Sequence, residues 1–359
     1  MDRINAGRIR IILFAIFLTC GSMGRADALT YLSRTKDIHI DTDWRITGRY
    51  TSIFETSHAA DLKKVIEIIE QFNTLRDDST PVAVRVQLPD GSDIPWEAVG
   101  HRELPVGARI CLTATVTKEF PGFSGLFADN MQIDQTETIK NVFYCIQFPG
   151  RTPFICQIRQ NSVLRERMDC ADHFTWSGKN VNRLDLFIST AASWHQISRR
   201  YRFLYEKRLG RDLLPADFPD KLNEAVTRLS PEEKIRVVMN FLKNDFIYRR
   251  SPAPEHGLSP DNPLSVLHRG WGDCKDLSLL ATAILRTMGI DTFVVLTGRP
   301  RLNSANAAIP DPFIFDHALV GFRQNGETAY YDCLAPDPVV AVNDQYVYLP
   351  LKGFNDDSQ

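Results

Sequence analysis

Residues 270–289 read GWGDCKDLSLLATAILRTMG, and the fold of the second half of the chain turns on this stretch. Leu277, Leu280, Ala281, Ile284 and Met288 recur at helical spacing and Gly289 supplies a stop, which predicts an amphipathic helix over 273–288. Cys274 then falls in the first turn, where unpaired backbone amides and the macrodipole favour an anion. That is the setting in which a thiol becomes a nucleophilic thiolate. Gly270 and Gly272 permit a sharp entry into the helix and close approach of a substrate to the backbone. Taken alone, the stretch fits a nucleophile and a small apolar helix cap equally well.

A nucleophilic thiol needs a base, and the base needs an orienting group. Residues 315–333, FDHALVGFRQNGETAYYDC, offer both. Asn325-Gly326 is a strong two-residue hairpin signal flanked by alternating apolar residues. A turn centred there sets Asp332 opposite Leu319 and on the same face as His317, one diagonal step away and within hydrogen-bonding reach. By itself His317 reads as a satisfied sheet histidine. A cysteine at a helix N-terminus, followed in order by His317 and Asp332 on successive strands, favours catalysis by the three together. Zinc would accept Cys274, His317, Asp332 and Cys333, but no Cys-x-x-Cys or His-x-x-x-His spacing nucleates such a site, so neither a metal nor a cofactor is expected. Trp271, Asp273 and Tyr248 are the candidates for shaping the loop or completing an oxyanion hole. Asn244 and the Cys274 amide are further candidates for the hole.

The surroundings are those of an α+β domain. SWHQISRRYRFLYEKRL (193–209) has Ser193 and Gln196 at capping-box spacing, with Trp194, Ile197, Tyr201 and Leu204 forming an apolar stripe. SPEEKIRVVMNFLKNDF (230–246) begins with Ser230, Pro231 and Glu233, another capping box with proline at the first helical position. Upstream the character differs. Short alternating runs such as VAVRVQL (82–88) and ARICLTATVTKEF (108–120), broken by turn-rich segments, predict a β-rich antiparallel domain over 29–190, interrupted by a helix at 59–75. Residues 191–359 then form the second domain.

The chain carries 42 Lys and Arg against 44 Asp and Glu, a net charge of −2, which gives no basis for a nucleic-acid partner. Arg3, Arg8 and Arg10 precede the apolar run Ile11–Cys20, and Ala26-Asp27-Ala28 fits a small-x-small cleavage site. The run spans about 15 Å as a helix, about half a bilayer core, so residues 1–28 predict a removed signal peptide rather than a permanent transmembrane anchor. A periplasmic or secreted protein is expected. In an oxidising compartment the remaining cysteines can pair. FYCIQFPGRTPFICQI (143–158), folded as a hairpin about Gly150 and Arg151, sets Cys145 opposite Cys156, which fits a cross-strand disulfide or simple packing.

At these motifs the chain resembles the transglutaminase-like superfamily, whose fold is papain-like. GWGDCKDLSLLATAILRTMGI resembles the cysteine motif, FDHALVGF the histidine motif and YYDCLAPDP the aspartate motif, in the family's order. VQLPDGSDIPWE, LPVGARICLT and FPGFSGLFADNMQI are similar to a β-rich domain that often precedes such cores in exported bacterial proteins. The resemblance implies a papain/transglutaminase-like core with Cys274 as thiol nucleophile, His317 as acid–base and Asp332 as orienting acid. The expected activity is acyl transfer on an amide bond of a peptide or protein in the cell envelope, ending in hydrolysis or in transglutamination. The alternative is a catalytically inactive binding or assembly module with the same fold.

Overall fold

The structure, a computed structural model, describes residues 29–56, 82–99, 104–120, 122–133, 138–160, 164–210, 226–249, 258–299, 309–324, 327–335, 339–341 and 346–351, together with Ile66, Ile69, Leu214, Phe218 and Leu222. Residues 1–28 and the Asn325-Gly326 turn lie outside this set. So does most of the 59–75 segment, of which Ile66 and Ile69 are helical. The described chain divides between Thr190 and Ala191 into two compact units.

Among the described residues the first unit has eleven strands. Alternation of buried and exposed residues sets their faces, as in Ile46–Thr56. The strands are β1 (Leu29–Ile40), β2 (Ile46–Thr56), β3 (Ala83–Gln87), β4 (Asp93–Pro95), β5 (Arg109–Lys118), β6 (Ala128–Ile133), β7 (Ile139–Gln147), β8 (Ile155–Gln160), β9 (Leu164–Cys170), β10 (His173–Val181) and β11 (Leu184–Ser189). Eight of them form one sheet in the order β4-β3-β5-β2-β1-β7-β10-β9, and β6-β11-β8 form a second. All pairs are antiparallel except β1 with β7. Ile38, Ile40, Tyr50 and Phe54 of the large sheet share one core with Met131, Leu184, Leu186 and Ile188 of the small one.

Two basic residues enter that core. Arg34 and Lys36 lie on the same face of β1 as Ile38 and Ile40, and both are fully buried. Lys36 Nζ meets Asp129 of β6 at 2.5 Å and donates to the Asn130 carbonyl at 2.9 Å, while the rings of Tyr50 and Tyr144 flank its charge. Tyr144 donates to the same Asp129 oxygen, Oδ2, at 2.7 Å, and Lys36 also reaches Oδ1 at 2.6 Å. The pair is thus hydrogen-bonded as well as neutralised, which a buried charge requires.

The structure corrects the hairpin expected about Gly150 and Arg151. β7 pairs with β1 and β10, whereas β8 pairs with β11 in the other sheet. The prolines and aromatic residues of FPGRTPF make it a crossing between sheets: Phe148 is buried and stacks on Phe154 at 5.3 Å. Cys145 therefore opposes Thr175 and Cys156 opposes Ile188, and neither is in a disulfide; the Cys145 thiol lies 2.7 Å from His173 Nε2.

The second unit is a five-stranded antiparallel sheet with helices. Its strands β14 (Thr292–Gly298), β15 (His317–Gln324), β16 (Glu327–Tyr331), β17 (Val339–Val340) and β18 (Val347–Pro350) run in the order β17-β16-β15-β14-β18. Among the described residues its longer helices are α1 (Trp194–Leu209), α2 (Pro231–Asp245), α3 (Pro263–Arg269) and α4 (Cys274–Thr287). The Ser230–Glu233 capping box is formed in full. The buried stripe of α1 is Ile197, Tyr201 and Tyr205, so Tyr205 takes the inward place expected for Leu204. Helix α4 is buried on nearly all sides. Its Leu277, Leu280 and Ile284 pack with Ile235, Val238 and Leu242 of α2 and with Val320 and Phe322 of β15.

Gly298 closes β14 where the chain leading to His317 crosses it. A Cβ there would lie 2.1 Å from the Ile314 carbonyl oxygen, a backbone atom that cannot rotate away. Gly298→Ala is therefore expected to lower unfolding free energy by about 3 kcal/mol, measured by urea denaturation. A loss below about 0.5 kcal/mol, within the range of ordinary surface substitutions, would contradict the packing described.

Candidate active site

Cys274 is the first residue of α4. Asp273 caps the helix: its carboxylate accepts from the amides of Lys275 and Asp276, and the Asp276 carboxylate accepts from the Asp273 amide. The Cys274 amide is not among the donors to this cap. Asp273 also pairs with the Lys275 ammonium. The cap thus fixes the helix N-terminus, the thiol at its first turn and the local positive end of the dipole in one piece.

His317 begins β15, opposite Thr297 of β14. The pairing of Val320 with Tyr331 and of Gln324 with Glu327 carries the register through a two-residue connection, so Asp332 follows in the position opposite Leu319. His317 Nε2 and Asp332 Oδ2 lie 2.8 Å apart, and Asp332 Oδ1 accepts from the Leu334 amide at 2.8 Å. Both oxygens of the carboxylate are committed, which locks the imidazole through Nε2 and leaves Nδ1 for Cys274.

The electrostatics agree with this division. Burial alone would lower the His317 pKa, but hydrogen bonds to Asp332 and Cys274, with the charges of both, push it up to about 10. Asp332 moves the other way: burial would raise its carboxyl, and His317 and the Leu334 amide hold it below the usual carboxylate range. The neighbouring thiol has a different setting. Cys333 is sealed in the core against Met239, at 3.5 Å, and burial pushes it up to about 12. Among the described residues no group of three or more His, Cys, Asp and Glu side chains is arranged to hold a metal ion.

The loop before Cys274 is held by an arginine that its sequence position did not single out. Arg269, at the end of α3, pairs with Asp261 and with Asp276 (2.7 Å), donates to the Trp271 carbonyl at 2.8 Å, and lies 4.0 Å from the Trp271 ring centre. Asp276 also accepts from the Asp261 amide at 2.8 Å. Gly270 caps α3 in the left-handed conformation, with φ of 69°. Gly272 has no side chain because a Cβ would come within 2.7 Å of the Asp276 Cβ. Trp271 and Gly272 (β13) pair in parallel with Ile247 and Tyr248 (β12). Trp271 is stacked by arginine and Tyr248 is 49% exposed. Asn244 is exposed near the end of α2. None of these three lines the cleft at Cys274.

That cleft at Cys274 is small and partly open to solvent. Cys274 and His317 sit among Tyr201, Tyr205 and Phe315 on the aromatic side and Leu258 and Leu296 on the aliphatic side, with Lys275 and Asp316 as charged members. Tyr201 and Tyr205 are a helical turn apart, a spacing visible in the sequence once Tyr205 replaces Leu204 on the inner stripe.

Residues 220–330 match the model of the transglutaminase-like superfamily. The match includes Cys274 and His317 and stops just before Asp332. Among solved structures, the chain is similar to a candidate protease from Parabacteroides distasonis, 15% identical, with a TM-score of 0.66 over 91% of this chain and 71% of that one. A candidate cysteine protease from Cytophaga hutchinsonii is 11% identical, with a TM-score of 0.25 over 63% of this chain and 83% of that one. No curated protein matches the chain. The fold is α+β, with a transglutaminase-like core of papain-like kind following a β-rich unit. The superfamily match at the thiol and imidazole supports a cysteine-dependent enzyme in general.

Proposed function

We propose that the chain catalyses acyl transfer on an amide bond through Cys274, His317 and Asp332, with hydrolysis of a peptide or protein as the main outcome. One observation carries the reading: a thiol at a capped helix N-terminus faces an imidazole whose far nitrogen is held at 2.8 Å by a half-buried carboxylate. The Cys274 thiolate attacks the amide carbon and forms a carbon–sulfur bond. The His317 imidazolium gives its proton to the departing amine, and the thioester passes to water or to a second amine. Asp332 fixes the ring and stabilises its charged form. The aromatic and aliphatic lining of the cleft favours a substrate with an apolar side chain beside the reacting carbonyl. The apolar run and Ala-x-Ala site of residues 1–28 favour export, so the substrate class we assign is an envelope peptide or protein.

A panel of N-acyl dipeptide aminocoumarin amides, aromatic or aliphatic at the residue before the coumarin, tests this. Wild-type protein should release coumarin and show an acyl adduct on Cys274 by intact mass, and Cys274→Ala should lose at least about 10⁴-fold in turnover. Adding dansylcadaverine separates the two outcomes, since a dansylated product marks transfer and free acid marks hydrolysis. Folded wild-type protein that neither turns over nor acylates across the panel would overturn the enzyme reading and favour a binding module.

A further inference from the structure

Two tyrosines stand one helical turn apart on the buried face of α1, with ring centres 6.4 Å apart, and only one has its hydroxyl satisfied. Tyr201 donates to the Pro312 carbonyl at 2.6 Å. The Tyr205 side chain is equally buried, at 2% exposure, and lines the cleft with Cys274 and His317, yet among the described residues its oxygen meets no hydrogen-bonding group. A buried hydroxyl without a partner is costly, and phenylalanine would fill the same space at no such cost. An unsatisfied donor in the wall of the cleft that holds Cys274 therefore points to a partner that arrives with the substrate.

We propose that the Tyr205 hydroxyl is the side-chain arm of the oxyanion hole, donating its proton to the carbonyl oxygen of the substrate as Cys274 adds to the carbon. The inference rests on Cys274 being the nucleophile. As the carbon–sulfur bond forms, the carbonyl π pair moves to oxygen, and that oxyanion accepts from the Tyr205 hydroxyl and the Cys274 amide. Collapse restores the carbonyl, breaks the carbon–nitrogen bond and sends the electron pair to the amine, which takes its proton from His317. Tyr205 donates a hydrogen bond throughout and keeps its proton. Burial holds the phenol protonated well above its ordinary range, reinforced by Tyr201, Cys274, Asp273 and Asp276, which all act on it electrostatically. Trp271 and Tyr248 are not among the residues lining the cleft.

The test compares two reactions of the same thiol in wild-type protein and Tyr205→Phe. Acetylation of Cys274 by 4-nitrophenyl acetate passes through a tetrahedral oxyanion, whereas alkylation by iodoacetamide displaces iodide at carbon and forms none. Tyr205→Phe should slow acetylation by about 10²-fold, leave alkylation within about twofold, and melt no lower than wild type because an unsatisfied hydroxyl has gone. Acetylation that is unchanged would overturn the assignment. Equal losses in both reactions would also overturn it, making Tyr205 a residue that merely positions the thiol. A wild-type Cys274 inert to both reagents would instead defeat the nucleophile reading beneath it.

Discussion

His317→Ala is expected to reduce amide turnover by about 10³-fold at pH 7 and to remove the alkaline limb of the pH–rate profile. In the wild-type protein that limb should fall near pH 10, where His317 gives up the proton destined for the leaving amine. Asp332→Asn should bring the limb down toward the ordinary histidine range, because the hydrogen bond and charge that raise His317 are weakened together. The same groups set a stability profile. The His317 pKa is raised from 6.5 to about 10 on folding, so its contribution is complete below pH 6.5 and lost as pH climbs through 10. Asp332 is lowered from 3.8, so its contribution is present above that value and lost as pH falls through its lower folded one. A profile whose alkaline limb is unaltered by Asp332→Asn would show that the carboxylate does not govern the acid.

Arg269→Ala should be the most destabilising substitution around the site. Its guanidinium is 23% exposed and serves two carboxylates, those of Asp276 at 5% and Asp261 at 28%. Removing it strands both, which typically costs about 3–5 kcal/mol, or on the order of 10 °C in melting temperature for a unit of this size. Asp276 is already held above the usual carboxylate range by burial and by the charge of Asp273. Protonation then relieves the stranded charge, so the deficit should shrink as pH falls from about 7 to about 5. Arg269→Lys should recover only part of the loss, since an ammonium cannot fork between two carboxylates while lying flat on Trp271. Thermal unfolding of the three proteins at both pH values checks this. Equal midpoints at pH 7 would mean that the loop is held without the clamp.

The placement of Cys274 at a helix start and of His317 beside Asp332 was legible in the chain because each is made by local rules. A helix stripe with a cap sets the thiol, and a two-residue turn between alternating strands sets the imidazole–carboxylate diagonal, which the observed pairing of β15 with β16 reproduces. What escaped the sequence depends on contacts between elements. Arg269 reads as an ordinary charge at a helix end until α3 and α4 meet across Gly270 and Gly272. Tyr205 is one position from Leu204 on the helix, and only packing decides which turns inward. In the first unit, FPGRTP has the composition of a hairpin turn, but Phe148 buries in a core shared by two sheets, Phe154 packs against it, and β8 goes to the second sheet. Lys36 and Asp129 are far apart in the chain, and nothing in the alternation of β1 marks a lysine for the interior.

The most direct test of the three-residue unit is titration of the His317 imidazole by NMR on protein labelled at histidine Cε1, with the resonance assigned through His317→Gln. The midpoint should lie near 10 in the wild-type protein and fall in both Asp332→Asn and Cys274→Ala, since each removes one of the groups that hold the imidazolium. A midpoint near 6.5 that ignores both substitutions would contradict the account, leaving a thiol, an imidazole and a carboxylate that are neighbours without acting together.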